Sequence, residues 1–120
     1  MSKILIVDDS ASIRQLALFT LKSKGFEVES ANDGKQALDE LRNSHYDLVL
    51  TDRNMPVLDG IELAKEVRGI DEYKSIPIIM LTTESDSDKK QEGKAAGVTG
   101  WIIKPFNPET LVKTINKVLD

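Results

Sequence analysis

The chain has 120 residues, a formal net charge of −4 and no cysteine. Its length fits one domain over residues 1–120 without an output domain. The lysine and arginine residues are spread along the chain, so it lacks the clustered positive charge that nucleic-acid binding needs, and we expect no nucleic-acid partner. The lack of cysteine excludes disulfides, thiolate metal sites and a cysteine nucleophile.

The N-terminal segment begins with the short apolar run Ile4–Val7. This run is too short for a signal peptide or a membrane span, so we expect a cytoplasmic protein with no membrane partner. It lacks the alternation of a half-exposed strand, which predicts a strand buried on both faces. A helix follows, which Ser10 would cap and Gly25 would end. Its apolar face comprises Ile13, Leu16, Ala17, Thr20 and Leu21.

The middle of the chain repeats this pairing of strand and helix. A weaker apolar run spans Phe26–Ala31, and a stronger one spans Leu48–Leu50. Helical stripes follow Asp33-Gly34 and Asp59-Gly60, and the second stripe closes near Gly69. Their apolar members are Ala37, Leu38 and Leu41 in the first, and Ile61, Leu63, Ala64 and Val67 in the second.

The C-terminal part supplies two further strand and helix pairs. Strands are predicted at Ile76–Leu81 and Trp101–Ile103. The helix between them, Asp86–Ala96, is polar and weakly amphipathic, and Gly93 in its interior costs about 1 kcal/mol relative to alanine. Pro108 suits the first turn of the last helix. The apolar residues of that helix are Leu111, Val112, Ile115, Val118 and Leu119.

Five alternations of strand and helix predict an α/β fold, a (βα)5 doubly wound parallel five-stranded sheet. Right-handed crossovers restrict its topology, and the flavodoxin-like strand order 2-1-3-4-5 is the natural choice for this class.

Ligands of such a sheet bind beyond the carboxyl ends of the strands, and four predicted strands end in polar residues. These residues are Asp8 and Asp9, Thr51 and Asp52, Thr82 and Thr83, and Lys104. Crowded carboxylates repel one another unless a cation joins them, and all-oxygen ligation suits Mg²⁺. An aspartate can accept a phosphoryl group, while a lysine and a hydroxyl donate to its oxygens. The set therefore predicts magnesium-assisted phosphoryl transfer.

Each of these residues also has a simpler interpretation. Asp9 or Ser10 could cap the first helix. Asp52 could be a polar strand terminus, Thr82 a buried hydroxyl bonded to the backbone, and Lys104 an ordinary loop residue. One site at the sheet edge accounts for all the strand ends together, which favours the functional interpretation.

Four motifs match a known family in order and spacing. They are ILIVDDS, LVLTDRNMPVLDG, IIMLTT and GWIIKPF. From end to end, the chain resembles a receiver domain of the two-component response regulators. Asn54, Glu84 and the segments DGIEL and LVKTINKV are similar to the single-domain chemotaxis regulators of that family.

This resemblance implies a phosphorylation site and a metal site. Asp52 would accept a phosphoryl group from a sensor histidine kinase. Mg²⁺ would be held by Asp9, by Asp52 and by the backbone carbonyl of Asn54, while Asp8 would act through a metal-bound water. The protein would be a monomer and no enzyme, apart from catalysing its own phosphorylation and dephosphorylation.

The resemblance also implies roles for Thr82, Trp101 and Lys104. Lys104 and Thr82 would contact the phosphoryl oxygens, and the Lys104–Pro105 bond would be cis. Thr82 and Trp101 would form a switch, in which the ring turns inward when the hydroxyl moves toward the phosphoryl group. Plain packing of Trp101 is an equally good interpretation. The chain departs from the family at this position, which usually carries tyrosine or phenylalanine.

A second departure is Thr83, where the family usually has a smaller residue. A larger side chain there could narrow access to the phosphoryl group. Thr83 would therefore tune dephosphorylation, together with Asn54 and Glu84, which flank the line of attack on phosphorus.

Within signalling, three roles stay open. The protein could be a chemotaxis regulator that binds a flagellar motor switch protein and a phosphatase, a phosphorelay intermediate, or the receiver of a larger regulator. Because Asp120 is near the usual end of such a domain, we expect a stand-alone protein. The resemblance to the chemotaxis regulators favours the chemotaxis role.

Two other classes of function compete. A phosphatase of the haloacid-dehalogenase type also uses an aspartate nucleophile, but its two aspartates stand one residue apart, whereas Asp8 and Asp9 are adjacent. The chain is also too short for a substrate-selecting cap. A nucleotide- or flavin-binding module would need a glycine-rich phosphate loop, which DDSASIR lacks.

Overall fold

The computed structural model describes residues 2–83, 91 and 93–119. All five strands are parallel and form one sheet in the order β2-β1-β3-β4-β5. The strands are β1 (Lys3–Val7), β2 (Glu27–Ala31), β3 (Leu48–Asp52), β4 (Ile78–Thr82) and β5 (Gly100–Ile103). The predicted fold class and strand order are confirmed.

Helices connect the strands, as the alternating pattern predicted. They are α1 (Ala11–Ser23), α2 (Gly34–Asn43), α3 (Gly60–Arg68) and the C-terminal helix (Pro108–Leu119). A short 3-10 helix, Asp71–Tyr73, precedes β4. Of the predicted helix Asp86–Ala96, residues 91 and 93–95 are helical, and most of the remainder lies outside the described residues. Among the described helices, none has the length and apolar character needed to cross a membrane.

The core consists of two hydrophobic clusters, one on each face of the sheet. The first lies under α2 and α3 and includes Val49 and Met80, and the second lies under α1 and the C-terminal helix and includes Leu50 and Ile79. Both faces of β3 and β4 are therefore buried, which explains their unbroken apolar runs. Each fully buried Leu or Ile contributes roughly 1.5–3 kcal/mol, so this core holds the strand ends in a rigid frame.

The strands β3 and β4 extend further toward their carboxyl ends than predicted. Thr51 and Asp52 remain in the ladder, opposite Met80 and Leu81 of β4. Predicting the end of β3 at Leu50 was wrong, because backbone hydrogen bonds continue through a residue whatever its side chain. The predicted start of β4 at Ile76 was also wrong. Pro77 has no N–H to donate to a ladder, and β4 begins one residue later.

The helix termini follow the sequence signals. Ser10 caps α1, and Asp33 caps α2 by accepting a hydrogen bond from the Gln36 amide at 2.8 Å. A capping box links Asp59 and Glu62 at the start of α3. These caps fix the directions in which the helices leave the carboxyl edge of the sheet.

One predicted core residue of α1 lies at the surface instead. The side chain of Leu16 is 44% exposed, whereas Ala17, Thr20 and Leu21 are buried as expected. Leu16 lines a groove with Phe19, at the line where α1 meets the C-terminal helix. Leu16 lies at a position of α1 that the C-terminal helix does not cover.

Candidate functional site

Three carboxylates meet at the carboxyl edge of the sheet. Asp8 and Asp9 follow β1, and Asp52 is the last residue of the neighbouring strand β3. One oxygen of each carboxylate lies within 4.8 Å of the others. Asp8 is fully buried and Asp52 is 6% exposed, whereas Asp9 is open to solvent. The topology thus brings together acids that are 44 positions apart, counted from Asp8 to Asp52.

Lys104, the residue after β5, completes the cluster, with β4 between β5 and β3. Its Nζ donates to Asp52 Oδ1 at 3.0 Å and to Asp8 Oδ2 at 3.1 Å. Its backbone amide donates to the carbonyl oxygen of Thr82 at 2.9 Å. The Lys104–Pro105 peptide bond is cis. The ammonium is therefore held between the two buried acids.

Burial and like charge perturb the ionisation of these groups. Burial raises the pKa of Asp52 and the charge of Asp8 raises it further, against the opposing effects of Lys104 and of a hydrogen bond from the Asn54 backbone. Burial lowers the pKa of Lys104, but its hydrogen bonds to Asp52 and Asp8 outweigh that effect, so the net pKa is raised. Lys104 therefore stays protonated and supplies one positive charge to three carboxylates.

The excess of negative charge fits a divalent cation. Converging carboxylate oxygens are the ligands that Mg²⁺ prefers, and one lysine cannot balance three acids. Asp8 Oδ1 already accepts from the Ser10 amide at 2.9 Å, and its Oδ2 accepts from Lys104. Each carboxylate oxygen has two lone pairs, so all three acids keep the capacity to bind a cation besides these hydrogen bonds. The arrangement can hold a metal beside a deprotonated acid.

A comparison with known families decides what this arrangement is. Residues 4–116 match the family model described as the response regulator receiver domain. The chain belongs to this family.

Relatives of this receiver domain include chemotaxis proteins. The chain is 40% identical to chemotaxis protein CheY-3 of Vibrio cholerae over 98% of its length and 92% of that protein. The crystal structure of Vibrio cholerae CheY4 superposes with a TM-score of 0.96 at 54% identity, over 98% of each chain. The receiver domain of a sensor histidine kinase of Pseudomonas aeruginosa, solved with a magnesium ion in its active-site cleft, gives a TM-score of 0.90 at 29% identity, over 98% of this chain and 97% of that one.

The backbone around Asp52 in this receiver domain depends on a glycine. A Cβ on Gly60 would lie 2.4 Å from the carbonyl oxygen of Asp52 and 2.9 Å from the Cα of Arg53. The Gly60 amide donates to the Arg53 carbonyl at 2.9 Å, which ties the start of α3 to the end of β3. The loop between these elements also contains Val57, whose φ of 72° is unusual for a β-branched residue.

The two residues predicted to form the switch lie on the same face of the sheet. Thr82 is buried at the end of β4. Trp101 of β5 is paired with Met80, two residues before Thr82, so the side chains of Thr82 and Trp101 project to one face. Trp101 is partly buried against the first hydrophobic cluster. Thr83 is exposed just beyond the strand, and Asn54 is exposed in the loop after β3.

Two arginines near the site were missed by sequence reasoning. Arg14 of α1 donates from Nη1 to the carbonyl oxygen of Asp8 at 2.6 Å and so braces the acidic turn. Arg53, the residue after Asp52, is buried at 6% exposure. Asp8 precedes α1 and Arg14 is the fourth residue of that helix, so their spacing in the sequence gives only a weak indication of this contact. Glu84, predicted to tune dephosphorylation, lies outside the described residues.

Proposed function

We propose that this receiver domain is a phosphorylation-activated signalling switch and that Asp52 accepts the phosphoryl group. The observation that carries the proposal is the nearly buried Asp52 carboxylate, held 3.0 Å from the ammonium of Lys104 beside Asp8 and Asp9. A carboxylate at neutral pH is already deprotonated, so this nucleophile needs no general base.

The donor is the phosphohistidine of a sensor histidine kinase. A bond forms between an oxygen of Asp52 and phosphorus, while the bond from phosphorus to the imidazole nitrogen breaks and its electron pair leaves with the imidazole. Lys104 then shifts its hydrogen bonds from the carboxylates to the phosphoryl oxygens, and the hydroxyl of Thr82 is the second donor to them. The rigid sheet edge supports these groups at fixed positions.

Mg²⁺ is the cofactor of this proposal. Asp9, Asp52 and the backbone carbonyl of Asn54 would hold it, and Asp8, which is fully buried and bonded to the Ser10 amide and to Lys104, would reach it through water. When bound, the metal supplies positive charge that stabilises the negative phosphoryl oxygens. The domain is no enzyme toward other substrates and catalyses only its own phosphorylation and dephosphorylation.

The proposed output is chemotaxis, through a flagellar motor switch protein as partner and a phosphatase that resets the signal. The support is the similarity over nearly the whole chain to chemotaxis proteins of Vibrio cholerae. Phosphorylation would move Thr82 and Trp101 and change the surface around β5 and the C-terminal helix. We propose a cytoplasmic monomer as the working form.

The first experiment is intact-mass analysis after incubation with acetyl phosphate, with Mg²⁺ or with chelator. We expect a single phosphoryl adduct that requires Mg²⁺ and is absent from Asp52→Asn. Asp47→Asn is the matched control, because this acid lies just before β3, at the opposite edge of the sheet. An adduct on Asp52→Asn, or none on the parent chain, would contradict the proposal.

A second experiment addresses the output. The parent chain, activated with acetyl phosphate and Mg²⁺, is passed over an immobilised motor-switch peptide, and Asp52→Asn serves as the inactive control. We expect retention of the activated parent alone. Transfer of the phosphoryl group to a second histidine protein, without binding to the peptide, would instead indicate a phosphorelay intermediate.

A further inference from the structure

We infer that the Trp101 indole packs into the space that Gly93 leaves by lacking a side chain, and that this packing sets how far inward the ring of the switch lies. The inference rests on the proposed function for its signalling consequence. The packing itself is visible in the structure and can be tested without phosphorylation.

Gly93 is buried, and the face that it presents is occupied by the indole. A Cβ added to Gly93 would lie 2.6 Å from Cζ2 and 3.4 Å from Cε2 of Trp101, and 3.4 Å from Cδ1 of Ile61. The first of these distances is shorter than any real carbon contact. An alanine at position 93 would therefore force the ring to move.

The backbone gives no separate reason for this glycine. Residues 93–95 are helical, and Gly93 does not have the positive φ of Gly25 or Gly97, so any residue could adopt its conformation. Glycine in a helix lowers stability relative to alanine. The cost predicted from the sequence is offset here by the space that the missing Cβ leaves for the ring.

The same packing explains how a tryptophan fits a position where the family usually has a smaller aromatic. Cζ2 and Cε2 belong to the benzene half of the indole, the part that a phenylalanine would not place in the same position. The missing Cβ of Gly93 makes room for this half on the first hydrophobic cluster. The size of residue 101 and the size of residue 93 are therefore coupled.

The indole ring can be displaced in only one direction, toward solvent. Ile61 and the first hydrophobic cluster lie on the buried side, whereas Trp101 is already partly exposed on the other. A side chain at position 93 thus drives the indole toward solvent. Since Thr82 and Trp101 project from the same face of the sheet, the outward ring disfavours the state in which Thr82 has moved toward the phosphoryl group.

Fluorescence tests the packing of the ring on Gly93 directly, because Trp101 is the single tryptophan of the sequence. We expect Gly93→Ala to shift the emission to longer wavelength and to increase quenching by acrylamide. Gly100→Ala is the matched control, since a Cβ on Gly100 meets nothing within 4 Å. An unchanged spectrum for Gly93→Ala, or an equal shift in both variants, would overturn the inference.

A double-mutant cycle tests the coupling through stability. In the parent chain, Gly93→Ala should lower the thermal midpoint by a few degrees, because the ring loses its packing. In the Trp101→Phe background the same substitution should raise the midpoint, because the higher helix propensity of alanine then acts without a clash. An effect of the same sign and size in both backgrounds would refute the coupling.

Phosphorylation tests the consequence for the switch. At a fixed concentration of acetyl phosphate and Mg²⁺, Gly93→Ala should carry a severalfold smaller phosphorylated fraction than Gly100→Ala. An equal fraction, despite the spectral shift, would overturn the link to the switch. If the parent chain takes up no phosphoryl group, the proposed function fails. The fluorescence measurement and the double-mutant cycle still decide whether the ring packs on Gly93.

Discussion

The two edges of the sheet both carry acids beside a basic group, at nearly equal distances. At the carboxyl edge, Lys104 lies 3.0 and 3.1 Å from Asp52 and Asp8. At the amino edge, His45 lies 2.9 Å from Glu72 and 3.3 Å from Asp47. The difference is burial, because the Asp8 side chain is 0% exposed and that of His45 is 67% exposed.

Burial decides what each group of charges can do. Water screens the exposed pairs of the amino edge, so they contribute little to stability and nothing that a ligand would replace. At the carboxyl edge the acids have lost most of their hydration, and one ammonium compensates them incompletely. That imbalance lowers the stability of the metal-free fold and favours the binding of cations, which supply the missing positive charge. The predictions below test this contrast, from the largest expected effect to the smallest.

Magnesium should stabilise the fold through the carboxyl edge alone. At a Mg²⁺ concentration about 100 times the dissociation constant, the free energy of unfolding should rise by about 2.7 kcal/mol. The measurement is urea unfolding with Mg²⁺ and with chelator. Asp9→Asn should weaken the effect, because it removes an exposed candidate ligand, whereas Asp47→Asn should leave it intact. Equal stabilisation of both variants would place the metal elsewhere.

Replacing Lys104 by methionine should lower the free energy of unfolding by roughly 2 kcal/mol in metal-free solution at neutral pH. The substitution leaves Asp8 and Asp52 without their ammonium, and the cost is reduced from that of a fully buried pair because the lysine side chain is 16% exposed. The matched control is Lys74→Met, which removes the exposed ion pair with Asp71. A loss of the same size in both variants would mean that burial does not distinguish the edges.

Asp52→Asn should raise the metal-free stability at neutral pH, because burial raises the pKa of this carboxyl and so penalises its charged form in the folded state. A raised pKa means that folding favours the protonated acid. The free energy of unfolding of the parent therefore falls as the pH rises from the ordinary value of 3.8 through the raised pKa, and then levels off. The variant should lack this fall, which chemical unfolding across the acidic range would reveal. Lower stability of Asp52→Asn at neutral pH would contradict the assigned electrostatics.

Thr83→Ala should speed the loss of the phosphoryl group by a few fold. The Thr83 side chain is exposed next to the site, and its removal widens the approach for water. The measurement is the decay of the mass adduct after the phosphodonor is removed. Thr99→Ala is a suitable control, since Thr99 precedes β5 at the amino edge, where its hydroxyl accepts from the Ile78 amide. Unchanged or slower decay would refute the role of Thr83.

His45→Gln should have the smallest effect. The hydrogen bond to Glu72 raises the pKa of His45, desolvation opposes it, and Asp47 adds to the increase. The imidazolium therefore adds stability below its ordinary pKa, and this is lost as the pH rises through the raised value. The thermal midpoint of the parent should fall slightly from about pH 6 to about pH 9 relative to the variant. A large difference in thermal midpoint between parent and variant would contradict the interpretation of the amino edge as a solvent-screened surface.

Much of the fold was predictable from local signals. Continuous apolar runs indicated strands buried on both faces, and Ser10, Asp33 and Asp59 marked helix starts through backbone capping. These signals act within a few residues, so they survive without knowledge of the tertiary structure. The strand boundaries near Asp52 and Ile76 were less predictable, because the neighbouring strand decides how far a ladder extends.

The sequence by itself determined the chemistry at the carboxyl edge, since every parallel strand ends there and Asp8, Asp9, Asp52 and Lys104 stand at or just after strand ends. The tertiary structure decided the rest. Only packing between distant segments shows that Leu16 is exposed, that Arg14 braces the acidic turn, and that Gly93 faces the Trp101 ring. The physical reason is range. Hydrogen bonding and periodicity are encoded in neighbouring residues, whereas burial and steric fit depend on which surfaces the whole chain brings together.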